Sequence, residues 1–449
     1  MTDVRLDSLS FVVGLLWGVH PITTAAVTYA VQRYESLAAC FIIWSCFYWI
    51  QAVHANAAGA SRARSRWWSW GLSMLFALLA MGSKETAAGL PLILILYSLL
   101  ASKSMKSDWR LFIGPLLLLM IVIVAGYLRA PYLLKPNNRV GTIGFGLVGI
   151  DAVEYISTQP LIYLRYLKLL VWPSDLVLDY GWIPSLFNRW IVVGQLIWLG
   201  IIVVMGVLVR WQPVAAWLLS SCLLILSVTS FIPTQDMIFE HRFYLPSALL
   251  IGLVVFTADR YLPERLTIAR LLGFTAIAIA LSYATIARNF DYTSAAELAT
   301  KDLERVPNNP RNYARWGAEV ADERNPMMLE ETLETAIEMA KERGYFHSGL
   351  NFAWRLRLAD LLYLRGEIVE ARRWYEEALE ESHSELQTVQ VLMPLAIIAS
   401  MEGRDEEAER LFEEALEVDT PMREQVELSY RTHLSRKSSG VGLAPTPKS

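Results

Sequence analysis

Nine apolar runs crowd the first 288 residues of this 449-residue chain, near 8–20, 37–53, 67–82, 86–102, 110–129, 190–210, 213–232, 245–258 and 268–287. A helix that crosses a bilayer needs about 20 mostly apolar residues, with a working range of roughly 17–25. Charge changes sharply after the last run. Residues 1–290 hold 21 Lys and Arg and 13 Asp and Glu, a net of +8, whereas residues 291–449 hold 19 and 31, a net of −12. Charged residues make up roughly 12% of the first part and roughly 31% of the second, against about 25% in an ordinary soluble domain. This division excludes a single soluble globule, a mostly disordered chain and a basic nucleic-acid binder, so no nucleic-acid partner is expected. The pattern predicts an all-α protein: a polytopic membrane domain of about nine spans over 1–288, then a water-facing acidic domain.

Cys40, Cys46 and Cys222 lie inside apolar runs and lack the paired spacing of a disulfide framework or a zinc site. Arg5 is set between Asp3 and Asp7, which is not the start of a cleaved signal peptide.

The polar breaks between the runs alternate in character. One set carries Arg62, Arg64 and Arg66, then Lys103, Lys106 and Arg110, then Arg210, then Arg260, Arg265 and Arg270; the short breaks of the other set carry only Arg33, Lys84 and Arg242. The positive-inside rule therefore places the N-terminus in the cytoplasm, and nine crossings would place everything after about residue 288 outside it. Trp67, Trp68, Trp70, Trp109 and Trp211 fall at the cytoplasmic ends, where an aromatic belt belongs. The breaks that mix acids with bases all land on the opposite face: His20-Pro21 leading to Gln32-Arg33-Tyr34-Glu35, Ser83-Lys84-Glu85-Thr86, and Glu240-His241-Arg242. Ionisable groups near apolar helix ends serve either as interfacial anchors or as a polar site, and three such clusters on one face point to a site.

The longest interruption, 130–189, falls on that same face. Its glycines (Gly141, Gly144, Gly146, Gly149) precede no Gly-Lys-Ser/Thr, so the segment is a loop and not a phosphate-binding P-loop. An amphipathic stretch follows at about 154–172, with Arg165 and Lys168 beside Leu161, Leu164 and Leu169. It fits an interfacial helix with basic groups facing lipid phosphates, or equally ordinary snorkelling.

In the acidic half, two segments repeat at an offset of 37 residues: Gly366, Ala371, Tyr375 and Ala378, then Gly403, Ala408, Phe412 and Ala415. Small, aromatic, small is the second-helix pattern of a tetratricopeptide repeat, whose usual period is about 34. The pattern predicts an α-solenoid over 289–434 with clear units around 351–382 and 388–420. Pro307-Asn308-Asn309-Pro310 and Asn312-Tyr313 mark entry into an earlier, degenerate repeat over roughly 309–344, and 435–449 read as a disordered tail. Such repeats bind extended peptides, or else pack against the membrane domain.

In sequence order these segments resemble a known family, the bacterial multi-pass tetratricopeptide proteins related to the transmembrane and tetratricopeptide-repeat O-mannosyltransferases. The resemblance rests on His20-Pro21 with Gln32-Arg33-Tyr34-Glu35-Ser36-Leu37-Ala38, and on Ser83-Lys84-Glu85-Thr86. It continues through Thr158-Gln159-Pro160, Arg165-Tyr166, Trp172-Pro173 and Asp179-Tyr180 to Glu240-His241-Arg242-Phe243-Tyr244-Leu245-Pro246-Ser247. Many members carry Glu where Ala25 stands.

The resemblance implies a membrane glycosyltransferase of GT-C architecture, with a polyprenyl-phosphate sugar as donor, a polypeptide acceptor bound through the repeats, and chemistry on the non-cytoplasmic face. It also implies a bacterial inner membrane with the repeats on its periplasmic side. Lys84, Arg33 and Arg242 would contact phosphate, with Arg165 and Lys168 further out and Asp179 in the adjoining loop. Glu35, Glu85 and Glu240 would orient those cations or hold a divalent metal ion, beside His20 and His241. In the family two further spans and an acidic outer loop precede the His-Pro segment, whereas this sequence starts just before it. It therefore reads as N-terminally truncated or as a member without the usual base, and that base cannot be named from these residues. The competing reading is a non-catalytic, membrane-anchored tetratricopeptide scaffold for protein–protein interaction. A transporter would need a matching pair of broken helices in the two halves, which the sequence lacks.

Overall fold

The computed structural model describes residues 3–57, 63–102, 109–135, 143–145, 147, 150–182, 189–321, 325–344 and 348–439. Every element named among them is a helix or a helical turn. The protein is all-α, a membrane helical domain followed by a helical solenoid, in two compact units that divide between Arg305 and Val306. The basic sites at Arg62, Lys103 and Lys106, the glycines 141, 146 and 149, and the tail 440–449 lie outside the described residues.

The first unit contains α1 (Asp3–Gly18), α2 (Thr24–Val27), α3 (Arg33–Ala57), α4 (Ala63–Ser83), α5 (Leu90–Ser102), α6 (Ile113–Leu133), α7 (Ala152–Val171), α8 (Arg189–Trp211), α9 (Pro213–Phe231), α10 (Tyr244–Tyr261), α11 (Thr267–Asp291) and α12 (Ala295–Arg305). All nine predicted runs coincide with helices. Among the described residues five helices are long and apolar enough to cross a membrane: Ala30–Ala55, Trp109–Leu133, Ile191–Trp211, Glu240–Tyr261 and Thr267–Asp291. A sixth is made by Asp7–Gly18 with Pro21–Val27 if that pair, bent by 63°, is one span. The remaining three runs form α4, α5 and α9, which do not meet that standard. The reason is local for two of them: α4 opens with Arg64 and Arg66, and the 13 residues of α5 rise only about 20 Å against a hydrocarbon core of about 30 Å.

The outward faces of the long helices are apolar. Leu199, Ile202 and Val203 on α8 and Ile279 on α11 are each more than half exposed, which suits lipid and not water. Between helices the contacts follow membrane rules, with small residues and hydroxyls at the seams. Ser45 on α3 and Ser73 on α4 each donate to the other's carbonyl at 2.9 Å. Trp49 is fully buried and donates its Nε1–H to the Leu94 carbonyl at 2.8 Å. Gly114 of α6 lies so close to α4 that a Cβ there would collide with the Met74 sulfur and the Trp70 ring.

α7 starts on Asp151, whose Oδ1 accepts from the N–H groups of Val153 and Glu154, both at 2.9 Å. It buries Tyr155, Ile162, Tyr166 and Leu169 and leaves Val153, Ile156 and Val171 exposed. α12 belongs to the first unit, although its composition is that of the acidic half.

The second unit holds α13 (Pro310–Trp316), α14 (Pro326–Glu342), α15 (Ser348–Leu364), α16 (Ile368–Glu380), α17 (Glu385–Met401), α18 (Asp405–Glu417) and α19 (Arg423–Ser439). The repeated signature accounts for the pairing of α15 with α16 and of α17 with α18. Ala371, Tyr375 and Ala378, and then Ala408, Phe412 and Ala415, are all buried to 1% exposure or less. Gly366 and Gly403 close the two hairpins at φ +82° and +74°, the left-handed region where a side chain is strained. The expected entry at Pro307–Tyr313 is a helix start: Asn309 Oδ1 accepts the Arg311 N–H at 3.1 Å, and α13 then packs on α14. α19 carries helix through residues 435–439, which the sequence pattern assigns to the tail.

Candidate functional site: two ion-pair networks at the helix breaks

Proline sets the first break. At His20-Pro21 the ring of Pro21 cannot donate to the preceding turn, so the chain stops α1 and restarts. His20 caps the restart: its Nδ1 accepts the Ile22 N–H at 3.2 Å, leaving Nε2–H to donate to the Leu170 carbonyl at 2.9 Å. Pro21–Val27 packs against the turn Glu240–Phe243 and against α11. Two of the three mixed-charge breaks, far apart in sequence, thus meet.

The third break joins through a buried ion pair. Lys84 Nζ lies 2.9 Å from Glu35 Oε2, with side-chain exposures of 13% and 2%, and donates to Gln32 Oε1 at 2.9 Å. His241, also buried, is within electrostatic range of both Lys84 and Arg242. Arg242 is half-buried, stacks its guanidinium 4.6 Å from the Phe239 ring and reaches Thr234 Oγ1 at 3.4 Å; among the described residues it has no carboxylate partner. Tyr166 braces this turn, since its hydroxyl donates to the Phe239 carbonyl at 2.9 Å and accepts the Phe239 N–H at 3.1 Å.

Glu240 points into a second network. Its Oε1 accepts from the Val177 N–H and from the Tyr180 hydroxyl, both at 2.7 Å, while Oε2 faces Arg288 at 3.9 Å. Burial raises the Tyr180 phenol well above its ordinary range, and the neighbouring Glu240 carboxylate adds to this. Arg288 pairs with Asp291 at 2.8 Å, and Asp291 pairs with Arg305 of α12 at 2.6 Å. Arg305 also donates to the Leu176 carbonyl at 2.9 Å, and the fully buried Asp302 accepts the Leu178 N–H at 3.2 Å. Burial pushes the nearby Tyr292 phenol up to about 12. The loop 176–180 is therefore held from two sides, by Glu240 and by α12.

The other expected site residues take varied positions. Arg165 stacks 5.3 Å from the Tyr180 ring, and its buried Nε has no hydrogen-bond partner among the described residues. Asp179 Oδ1 accepts the Gly181 N–H at 2.9 Å. Arg33 is exposed and donates to the Val27 carbonyl, and Glu85 and Lys168 are exposed. Glu35 and Glu240 engage separate partners, and among the described residues no group of three His, Cys, Asp or Glu side chains is placed to hold a metal ion. Arg288, Asp291, Asp302 and Arg305 escaped the sequence reading. Arg288 and Asp291 could have been found as an i, i+3 pair at the end of an apolar helix, where ionisable groups are costly. Asp302 and Arg305 show the same spacing but sit on a helix rich in solvated charge.

Residues 349–420 match the tetratricopeptide-repeat family model. No curated protein and no solved structure matches the chain. The match covers the two helix pairs α15–α16 and α17–α18, so the second unit carries tetratricopeptide repeats, a scaffold for binding protein partners.

Proposed function

We propose that the first unit holds the phosphate of a lipid-linked sugar at Lys84, His241 and Arg242 and transfers the sugar on the non-cytoplasmic face, while the repeats hold a polypeptide acceptor. The observation that carries this reading is Arg242. A half-buried guanidinium without an acid partner among the described residues, close enough to His241 to act on it electrostatically as Lys84 does, suits an anion brought from outside. Leaving-group phosphate gains negative charge in the transition state, and cations preset around it lower that barrier. Glu35 orients Lys84, and Glu240 fixes the loop that presents Tyr180 and Asp179. Glu85, exposed beside Lys84, is an acid at these breaks open to an acceptor hydroxyl.

A second reading, the non-catalytic scaffold, draws support from the two buried acids, both engaged in internal pairs, and from the repeats themselves.

The test uses the full chain in lipid nanodiscs and a short-chain polyprenyl phosphate. A charge-assisted hydrogen bond contributes about 1.5–3 kcal/mol, so Arg242→Ala should weaken binding roughly 10- to 100-fold with little change in melting temperature. Equal binding by folded wild type and variant sinks the phosphate role, and no binding by the wild type favours the scaffold. Placement is separate: an alkaline phosphatase fused after the repeats should be active, and an inactive, intact fusion overturns the non-cytoplasmic assignment.

A further inference from the structure

A non-helical segment, Leu176–Tyr180, runs between α7 and α8, and its two ends turn through the left-handed region: Asp175 lies at φ +57° and Gly181 at φ +59°. Asp175 is the one residue other than glycine at positive φ among the described residues. That conformation is unfavourable for a residue with a Cβ and persists where its surroundings fix it. Leu176 and Val177 are buried, so the backbone groups of the segment need partners, and two anchors supply them in alternation. The Leu176 carbonyl accepts from Arg305 of α12 at 2.9 Å, and the Val177 N–H donates to Glu240 at 2.7 Å. The Leu178 N–H then donates to Asp302 of α12 at 3.2 Å, and the Tyr180 hydroxyl donates to Glu240 at 2.7 Å.

The two anchors are also joined to each other. Glu240 faces Arg288 at 3.9 Å, Arg288 pairs with Asp291 at 2.8 Å, and Asp291 pairs with Arg305 at 2.6 Å, which closes a ring. Glu240, Arg288, Asp291 and Asp302 are all buried, so salt screens them little, and a member left without its partner is costly. We infer that Leu176–Tyr180 is a strap that couples α12 to the Glu240–Phe243 turn, with Asp302 and Arg305 as its positioning residues. When α12 lifts, the Leu176 carbonyl and the Leu178 N–H lose their partners. The strap then swings about Asp175 and Gly181, and Glu240 loses Val177 and Tyr180 together. α12 ends at Arg305 and the second unit begins at Val306, so a load on the repeats reaches this ring along the chain itself. The coupling stands whether or not a phosphate binds at Lys84 and Arg242.

The experiment follows amide hydrogen exchange of the full chain in lipid nanodiscs by mass spectrometry, with each variant perturbed at one anchor and read at the other. Coupling between two sites is reciprocal, so the effect must run both ways. Asp302→Ala should speed exchange about fivefold at the Glu240–Phe243 turn as well as in the strap, the factor expected for one net hydrogen bond. Tyr180→Phe removes only the hydroxyl on the Glu240 side and should speed exchange in α12 by a similar factor. Arg305 is partly exposed, so Arg305→Ala repeats the first arm where Asp302→Ala does not fold. α4 and the helices α15 to α18 should exchange as in wild type. Faster exchange confined to the strap and the altered side, or no change, makes the two anchors independent and overturns the inference. Faster exchange throughout the chain reports global loosening and overturns it too.

Discussion

The Glu35–Lys84 pair separates two accounts of the mixed-charge breaks, interfacial anchor or internal brace. At 2.9 Å, with side-chain exposures of 2% and 13%, the attraction is about 6 kcal/mol at an effective dielectric of about 20, offset by the cost of removing both charges from water. Replacing one partner leaves the other charge buried alone, so Glu35→Gln or Lys84→Met should each cost about 3–5 kcal/mol. Lys84→Met also leaves Gln32 Oε1 without its donor at 2.9 Å, about 1 kcal/mol more. The double variant should recover much of the loss, because no charge is stranded. The expected coupling energy is about 2–3 kcal/mol. It is measured as a double-mutant cycle from denaturant-induced unfolding of the protein in mixed micelles. Additive single effects, or a coupling below about 0.5 kcal/mol, would show a solvent-screened pair and refute the brace.

Two further outcomes test the solenoid. Gly366→Ala and Gly403→Ala should each destabilise the repeats by about 1 kcal/mol or more, since alanine is strained at φ +82° and +74°. No atom lies within 4 Å of the added Cβ, so the loss reports backbone strain alone; unchanged melting of both variants would contradict it. Asp360 on α15 is raised above its ordinary value of 3.8 mainly by burial, although its Oδ1 accepts the Tyr375 hydroxyl at 2.6 Å. A raised folded value means that this group favours the fold below about pH 3.8 and that the contribution is lost as pH rises through the folded value. Asp360→Asn should therefore melt higher than wild type at pH 7, with the gap closing toward pH 4. An equal gap at both pH values would count against the assignment.

The repeats were legible because their signal is local and periodic. A glycine, two small residues and an aromatic at fixed spacing describe one hairpin, and the same four residues bury or turn as the spacing predicts. The apolar runs were legible as helices for the same reason. Their ends were less so: the run placed at 268–287 stops short of Arg288 and Asp291, which α11 includes. His20 shows a different limit, since a histidine beside a proline reads as a candidate ligand until both ring nitrogens are found engaged.

Sequence alone determined the all-α class, the change from lipid-suited to water-suited surface, and the paired-helix repeats. Hydropathy and helical periodicity are properties of neighbouring residues, and they survive without knowledge of the fold. The tertiary structure decided which charges meet. Glu240 finds Tyr180 across 60 residues, Arg305 finds Leu176 across 129, and Glu35 finds Lys84 through the packing of α3 on α4. A buried charge must be paired wherever a partner can be brought. The partner is chosen by how the helices close, and no spacing along the chain encodes that.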